Sequence, residues 1–367
     1  MKLQFLGATR EVGRSCLAME SEGLNLFLDC GVAANKDVPL APQQDVKTPN
    51  AIALSHAHLD HSGFLPAIYK HSNPPVICTF PTIPLVDMLL EDMQKLLSEK
   101  GLPQFFSSSD FNRLNRSFLG LPYETDYEFF NGDKLRLYDA GHIIGSSQIL
   151  MQTKSGNLLY SGDINSVKTE MHRPAVVPKE KIDYLVLEST YGGREHPDRK
   201  KLAGEFCDKI ESAIDEGASV IVPSFAVGRT QEILQLLLER DLIKFTVLDG
   251  MGIRATETYL EYPAYLRDSQ KLQDAFEEAD KAYETLDRKK FSKPRKIFLC
   301  TAGMMEGGPV LSYIQRLMKN DVKTKIFLTG YQGAGTNGRL LLEKYMLRIN
   351  GKTVQFRGEV RKYDFSA

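Results

Sequence analysis

The chain lacks several features that would place it in large protein classes. Its cysteines number only five, Cys16, Cys30, Cys78, Cys207 and Cys300. An odd, scattered set excludes a disulfide framework and reads as small buried hydrophobes in a reducing compartment. Neither charge sign is in excess, the formal net charge being -1. Global attraction to a polyanion is thereby excluded, and any such site must be a local concentration of positive charge. No apolar run reaches the length of a membrane span. The start, Met1 to Leu6, reads as a strand and is too short for the apolar core of a signal peptide, so a cytoplasmic protein without membrane association is expected. Internal repeats and low-complexity tracts are absent. Histidine is also scarce, at seven residues, and three of the seven fall between positions 56 and 61.

That stretch, Ser55-His56-Ala57-His58-Leu59-Asp60-His61-Ser62-Gly63, packs four side chains that ligate transition metals, His56, His58, Asp60 and His61, into six positions. The apolar run Ala51-Ile52-Ala53-Leu54 precedes it, so the cluster begins where a buried strand ends. Leaving four such polar groups together without metal would be costly. Two isolated residues share the strand-end setting. His142 lies in Ala140-Gly141-His142-Ile143-Ile144-Gly145, where glycines let the backbone bend, and Asp163 follows the strand Leu158-Leu159-Tyr160. Each alone reads as structural; beside the histidine cluster each becomes a ligand. The expected arrangement places one ion on His56, His58 and His142, a second on Asp60 and His61, and Asp163 bridging both. Ions about 3.5–4 Å apart can share a hydroxide and clamp the attacking and leaving oxygens of a displacement. Either Asp60 or His61 is alternatively placed to act on the water. Imidazole-rich ligation favours two zinc ions, with manganese or iron left open. Asp29, closing the strand Asn25–Leu28, is placed to hold a ligand or a metal-bound water by hydrogen bond, or to be a turn residue before Cys30-Gly31.

At 42% hydrophobic and 25% charged the composition is that of a globular protein, and its length favours two domains. Up to about residue 194 short strand patterns dominate (2–6, 16–20, 24–29, 51–55, 76–80, 134–138, 147–152, 157–161, 183–188), with helices near 84–98 and 109–114. Sheet-on-sheet packing with outer helices is expected. From 195 to 345 strands alternate with helices, including a helix predicted over 270–286, which implies a parallel sheet covered on both faces. Residues 346–367 return to strand pattern and are expected to rejoin the first domain. Residues 288–296 hold the densest basic run, Arg288, Lys289, Lys290, Lys293, Arg295 and Lys296, which reads as a solvated loop or as a phosphate-contacting strip.

The His-x-His-x-Asp-His run with distal His142 and Asp163 resembles the metallo-β-lactamase fold. Further segments narrow the likeness: Leu187-Glu188-Ser189-Thr190-Tyr191-Gly192, Val222 to Arg229, Asp249-Gly250-Met251, and Gly330 to Arg339. These resemble the β-CASP nucleases, most of all the archaeal and bacterial relatives of the endonuclease subunit of the cleavage and polyadenylation specificity factor. The resemblance spans essentially the whole chain. It implies an α/β protein in which an αβ/βα sandwich carries an inserted α/β domain with a parallel sheet flanked by helices. It implies a metal-dependent ribonuclease acting on single-stranded RNA, as an endonuclease, a 5′-3′ exonuclease or both. Glu188 matches the acidic residue that orients the proton donor, and Ser224, Arg229, His196 and Ser366 are candidate substrate contacts. Arg229 sits where a helix N-terminus favours anions and reads equally as an interdomain salt bridge; His196 reads equally as an exposed loop residue.

The family pattern places a histidine directly after Phe365-Ser366-Ala367 and another further on, the first as general acid and the second as a ligand to the second ion. Neither is in this sequence. The polypeptide is therefore expected to hydrolyse weakly or not at all, to bind its second ion loosely, and to lack the segment through which two copies would pair. A non-catalytic RNA-binding or assembly subunit and a small-molecule metallo-hydrolase are the alternatives.

Overall fold

The computed structural model describes residues 1–33, 39–43 and 47–365. They divide into two compact units, the first comprising Met1–Lys168 and His172–Gly192, the second Thr169–Met171 and Gly193–Ala367.

The first unit is built on two sheets. One has six strands in sequential order: β1 (Lys2–Phe5), β2 (Leu17–Ser21), β3 (Leu24–Leu28), β4 (Ala51–Ala53), β5 (Val76–Thr79) and β6 (Phe118–Leu121). The β2–β3 hairpin turns at Glu22 and Gly23, both at positive φ, the two-residue geometry that matches strand twist. From β3 onward the pairing is parallel, and β4 and β5 are buried along their whole length, as parallel strands covered on both faces must be. The second sheet runs β11-β10-β9-β8-β7, formed by β7 (Asp126–Glu128), β8 (Lys134–Asp139), β9 (Ser147–Thr153), β10 (Gly156–Tyr160) and β11 (Tyr184–Val186). Alternate residues of the two sheets, including Leu17, Met19, Leu26, Leu28, Leu135, Leu137, Ile149 and Met151, form one core. Helices α1 (Leu59–Ser62), α2 (Leu65–Ile68), α3 (Thr82–Glu99) and α4 (Ser108–Asn115) complete the unit.

The second unit is a six-stranded parallel sheet in the order β14-β13-β15-β12-β16-β19, with a separate hairpin, β17–β18. Its elements are α5 (Arg199–Asp215), β12 (Ser219–Pro223), α6 (Arg229–Glu239), β13 (Thr246–Asp249), α7 (Met251–Glu261), α8 (Ser269–Glu278), β14 (Asp280–Ala282), α9 (Thr285–Phe291), β15 (Ile297–Cys300), α10 (Pro309–Lys319), β16 (Thr324–Leu328), α11 (Asn337–Lys344), β17 (Met346–Ile349), β18 (Lys352–Gln355) and β19 (Val360–Lys362). Strand–helix alternation thus gives the expected parallel sheet.

Two expectations are corrected. The helix predicted over 270–286 is two helices separated by β14, because Asp280–Ala282 pairs with Val247–Asp249. A three-residue edge strand carries too little apolar periodicity to be seen, and tertiary pairing overrides its propensity. The tail does not rejoin the first unit. Asn350 and Gly351, both at positive φ, close the β17–β18 hairpin, and Leu347, Ile349 and Phe356 enter the core made by Ile221, Phe298, Tyr313 and Leu328. β19 then pairs in parallel with β16. Since Phe356 is 3% exposed, Phe356→Ala is expected to destabilise the second unit by about 3–5 kcal/mol. Denaturant unfolding should show that unit's transition shifted, with metal affinity of the first unit unchanged; the reverse pattern would return the tail to the first unit.

Candidate metal centre

Strand ends, with α1 after β4, bring the ligand candidates of the first unit together. Asp29 follows β3, His56 lies just beyond β4, His142 beyond β8 and Asp163 beyond β10. Two glycines let these ends crowd together. A Cβ on Gly31 would lie 1.8 Å from the Asp60 carbonyl oxygen, so only glycine allows the β3 extension to pass α1. Gly162, at φ +54, takes a left-handed turn where a Cβ would lie 2.7 Å from that of Ser55, and so delivers Asp163 beside the histidines.

Two groups of donor atoms converge. His56, His58, His142 and Asp163 form one, and Asp60, His61 and Asp163 the other, with all donor atoms of a group within 4.8 Å of one another. His58 Nδ1 lies 3.1 Å from His56 Nε2 and 3.2 Å from His142 Nε2. Asp163 Oδ2 lies 3.9 Å from His56 Nε2 and 3.7 Å from His142 Nε2. Its other oxygen, Oδ1, is 3.2 Å from His61 Nε2, which is 3.9 Å from Asp60 Oδ2. One carboxylate therefore serves both groups, an oxygen to each. Four donors at tetrahedral corners about 2.0–2.1 Å from zinc would stand about 3.3 Å apart, so the imidazole spacing fits a small divalent ion.

The proton inventory points the same way. Asp29 is fully buried. Its Oδ1 accepts the Ser55 N–H (2.7 Å), and its Oδ2 accepts the Ser55 hydroxyl (2.8 Å), the Tyr160 hydroxyl (2.8 Å) and His61 Nδ1–H (2.6 Å). Ser55 spends its one hydroxyl proton on Asp29, so its oxygen must accept from His56 Nδ1, 3.0 Å away. That fixes the His56 tautomer and turns the Nε2 lone pair into the cluster. Burial, reinforced by the charge of His61, holds the His56 pKa well below its ordinary value, and burial lowers His142 to about 3; both are neutral ligands at physiological pH. Burial also works against a charge on His61, but Asp163, Asp29 and Asp60 overcome it and raise its pKa well above the usual range. For Asp163, burial opposes ionisation, and the neighbouring His61 more than reverses this, leaving the carboxylate well below its ordinary range.

Asp29 thus holds a ligand, His61. Its oxygens are engaged by the chain and it is fully buried, the setting of a residue that holds a ligand by hydrogen bond. Its backbone is at φ +60, an uncommon conformation for a residue with a side chain. Glu188 joins neither donor group: its N–H donates to Ser161 Oγ (3.0 Å) and its Oε2 accepts the Thr190 N–H (2.7 Å). The remaining candidates lie in the second unit. Ser224 is buried, its N–H bonded to the Cys300 carbonyl (3.0 Å). Arg229, the first residue of α6, pairs with Glu232 of the same helix, with its guanidinium 5.6 Å from the Phe365 ring centre. His196 is exposed ahead of α5. Ser366 lies outside the described residues. Sequence reading missed Ser55, Tyr160 and Ser146, whose Oγ accepts the N–H groups of His142 (3.1 Å) and Ile143 (3.2 Å). Each neighbours a ligand motif, yet nothing in a serine or tyrosine alone signals such a partner.

Residues 18–182 match the metallo-beta-lactamase superfamily domain, and residues 230–341 match the Beta-Casp domain. Probable RNase MJ4 of Methanocaldococcus jannaschii is 35% identical over 376 residues, covering 100% of this chain and 87% of that protein. RNase aCSPSF2 of Saccharolobus solfataricus is 33% identical over 369 residues, covering 100% of this chain and 74% of its own. Transcription termination factor FttA of M. jannaschii is 32% identical over 382 residues, covering 96% of this chain and 60% of its own.

The raised pKa of His61 makes it an imidazolium in the metal-free protein at neutral pH, and a metal must displace its Nε2 proton. Calorimetric titration in buffers of different ionisation enthalpy should show about one proton released per chain near pH 7, absent in His61→Gln. Apparent affinity at this group should rise about tenfold per pH unit until the His61 pKa is passed. Asp29→Ala should weaken metal binding about 10–100-fold. Titrations independent of buffer would show that His61 is already neutral.

Proposed function

Since the chain belongs to the β-CASP family of metallo-β-lactamase-fold proteins, we propose that it is a divalent-metal-dependent ribonuclease that hydrolyses phosphodiester bonds of single-stranded RNA. The observation that carries this is the shared carboxylate: Asp163 offers one oxygen to a three-histidine group and the other to Asp60 and His61. Proteins of this fold use divalent metal, and the donor chemistry here suits it. His56, His58, His142 and Asp163 Oδ2 would hold one ion; Asp60, His61 and Asp163 Oδ1 would hold a second. Three imidazoles and a carboxylate favour zinc. Bound there, the ions would supply Lewis acidity, making water nucleophilic near neutral pH and offsetting the charge that builds on the phosphoryl oxygens.

The protein's own groups do the rest. Asp29 keeps the His61 Nδ1 proton in place, so His61 presents Nε2 and not Nδ1 to the centre. Ser55 does the same for His56. Asp60 is about a third exposed, with its Oδ2 turned toward His61, and Oδ1 has no hydrogen-bond partner among the described residues; it is the atom best placed to accept the proton of the attacking water. Glu188, at the end of β11 with one oxygen tied to Thr190, leaves its other oxygen to orient a proton donor for the departing oxygen.

Incubation with 5′-labelled single-stranded RNA tests the reading. Cleavage that requires added zinc or manganese, stops with chelator and falls to the background rate in His56→Ala and Asp163→Ala is the expected result. Internal fragments would mark endonuclease action, and mononucleotides released from the 5′ end would mark exonuclease action. RNA left uncut while a chromogenic ester is hydrolysed at the same centre would overturn the proposal.

A further inference from the structure

Beyond the metal centre, the second unit carries a basic face at the free edge of its parallel sheet. β14 is the terminal strand of that sheet, and α9 follows it. One basic residue of the run turns inward. Arg288 makes two hydrogen bonds to the fully buried carboxylate of Asp249, at 2.8 and 2.9 Å, and the Tyr313 hydroxyl adds a third at 2.9 Å. This anchor sets the rotation of α9. Asp287 is occupied too, accepting the N–H groups of Tyr283 and Glu284 at 3.1 and 3.2 Å. With positions 288 and 291 turned toward the unit, helical spacing leaves 286, 289 and 290 on the outer side, and Lys293 follows just beyond the helix.

What lies on that side is unusual for a merely solubilising surface. Lys289, Lys290, Lys293 and Arg295 are exposed, and among the described residues none of them has a carboxylate within ion-pair distance. Lys290 Nζ and Lys296 Nζ lie 5.0 and 5.7 Å from the Phe291 ring centre, and Lys296 is tied to Asp280 on β14 at 2.7 Å. The helix, the loop after it and the edge strand therefore share one surface. Two large side chains of the same segment are exposed as well, Tyr283 at 62% and Leu286 at 74%. Glu284 is the exposed carboxylate of the segment. Unpaired cations and an exposed aromatic ring within one short segment are the elements by which proteins hold single-stranded nucleic acid, the cations on phosphates and the ring under a base. In a chain of net charge -1, this face supplies the local positive charge that a polyanion requires.

We propose that the face formed by Tyr283, Leu286, Lys289, Lys290, Lys293 and Arg295 is an auxiliary binding surface for single-stranded RNA, outside the metal centre. It rests on the ribonuclease reading and adds a site that retains a long substrate without contributing to cleavage chemistry. Because the contacts are to phosphates and a stacked base, binding is indifferent to sequence and sensitive to salt.

The test uses the whole chain and two RNAs, one of about 30 nucleotides and one of about six, with affinity read by fluorescence anisotropy in chelator across a salt series. The combined variant Lys289→Gln, Lys290→Gln, Lys293→Gln, Arg295→Gln should bind the long RNA about tenfold or more weakly at low salt. Its log K against log salt slope should be shallower by about 3, four contacts at about 0.7 each. Tyr283→Ala should weaken long-RNA binding about fivefold or more. Cleavage of the short RNA by both variants should match the parent. Unchanged affinity and slope in the combined variant, with the parent cleaving RNA, would overturn this face alone. A parent that neither binds nor cleaves RNA would overturn the ribonuclease reading with it. Displacement of long RNA by poly-glutamate at equal charge concentration would overturn the RNA assignment in favour of an acidic protein partner.

Discussion

Crowding like-type ligands around a shared carboxylate is the constraint on which the first unit depends. Asp163 stands between three imidazoles on one side and His61 with Asp60 on the other. His58 Nδ1 is crowded against two other ring nitrogens at 3.1 and 3.2 Å, beside a partly buried carboxylate. Part of the cost is met within the chain: Asp163, Asp29 and Asp60 hold the His61 pKa well above its usual range against its burial. The rest is the free energy that a divalent ion recovers on binding, since ligands held together in advance lose little further freedom.

Behind the ligands, Asp29 is the hub. A buried carboxylate is tolerated only when its lone pairs are satisfied, and Ser55 and His61 from one stretch and Tyr160 from another, both distant in sequence from Asp29, satisfy them. The same bonds determine which nitrogen of His56 and of His61 faces the ions. Stability and reactivity therefore share their atoms here. Gly31 and Gly162 serve the same end, because the hub closes only where backbones approach within a distance that a Cβ forbids.

Membership of the β-CASP family gives the ligand set its chemical meaning, and the two units contribute differently to the proposed function. The first holds the metal-ligating groups. The second is a parallel sheet whose buried Asp249–Arg288–Tyr313 network orients a short helix, so that a dense basic run is divided between inward Arg288, Lys296 paired with Asp280, and the exposed Lys289, Lys290, Lys293 and Arg295. The run was visible in the sequence, but its division was not, since charge alone does not say which guanidinium is buried.

Much of the site was legible from residue order. A strand ending in His-x-His-x-Asp-His is local: the strand fixes where the ligands start, and the spacing fixes which can share an ion. His142 and Asp163 were legible by their similar strand-end settings, and the alternation of the second region announced its parallel sheet. What the sequence could not decide were the relations made by long-range contact. The short edge strand Asp280–Ala282 exists only because β13 offers it a ladder. The tail sits in the second unit because Leu347, Ile349 and Phe356 find their core there, whereas strand pattern alone says only that they seek one. Asp29 has its carboxylate surrounded by donors and removed from water only because folding brings Ser55, His61 and Tyr160 to it. Sequence determines which chemistry the side chains are capable of; the tertiary structure decides which atoms meet, because hydrogen bonding and desolvation are set by neighbours that chain order does not specify.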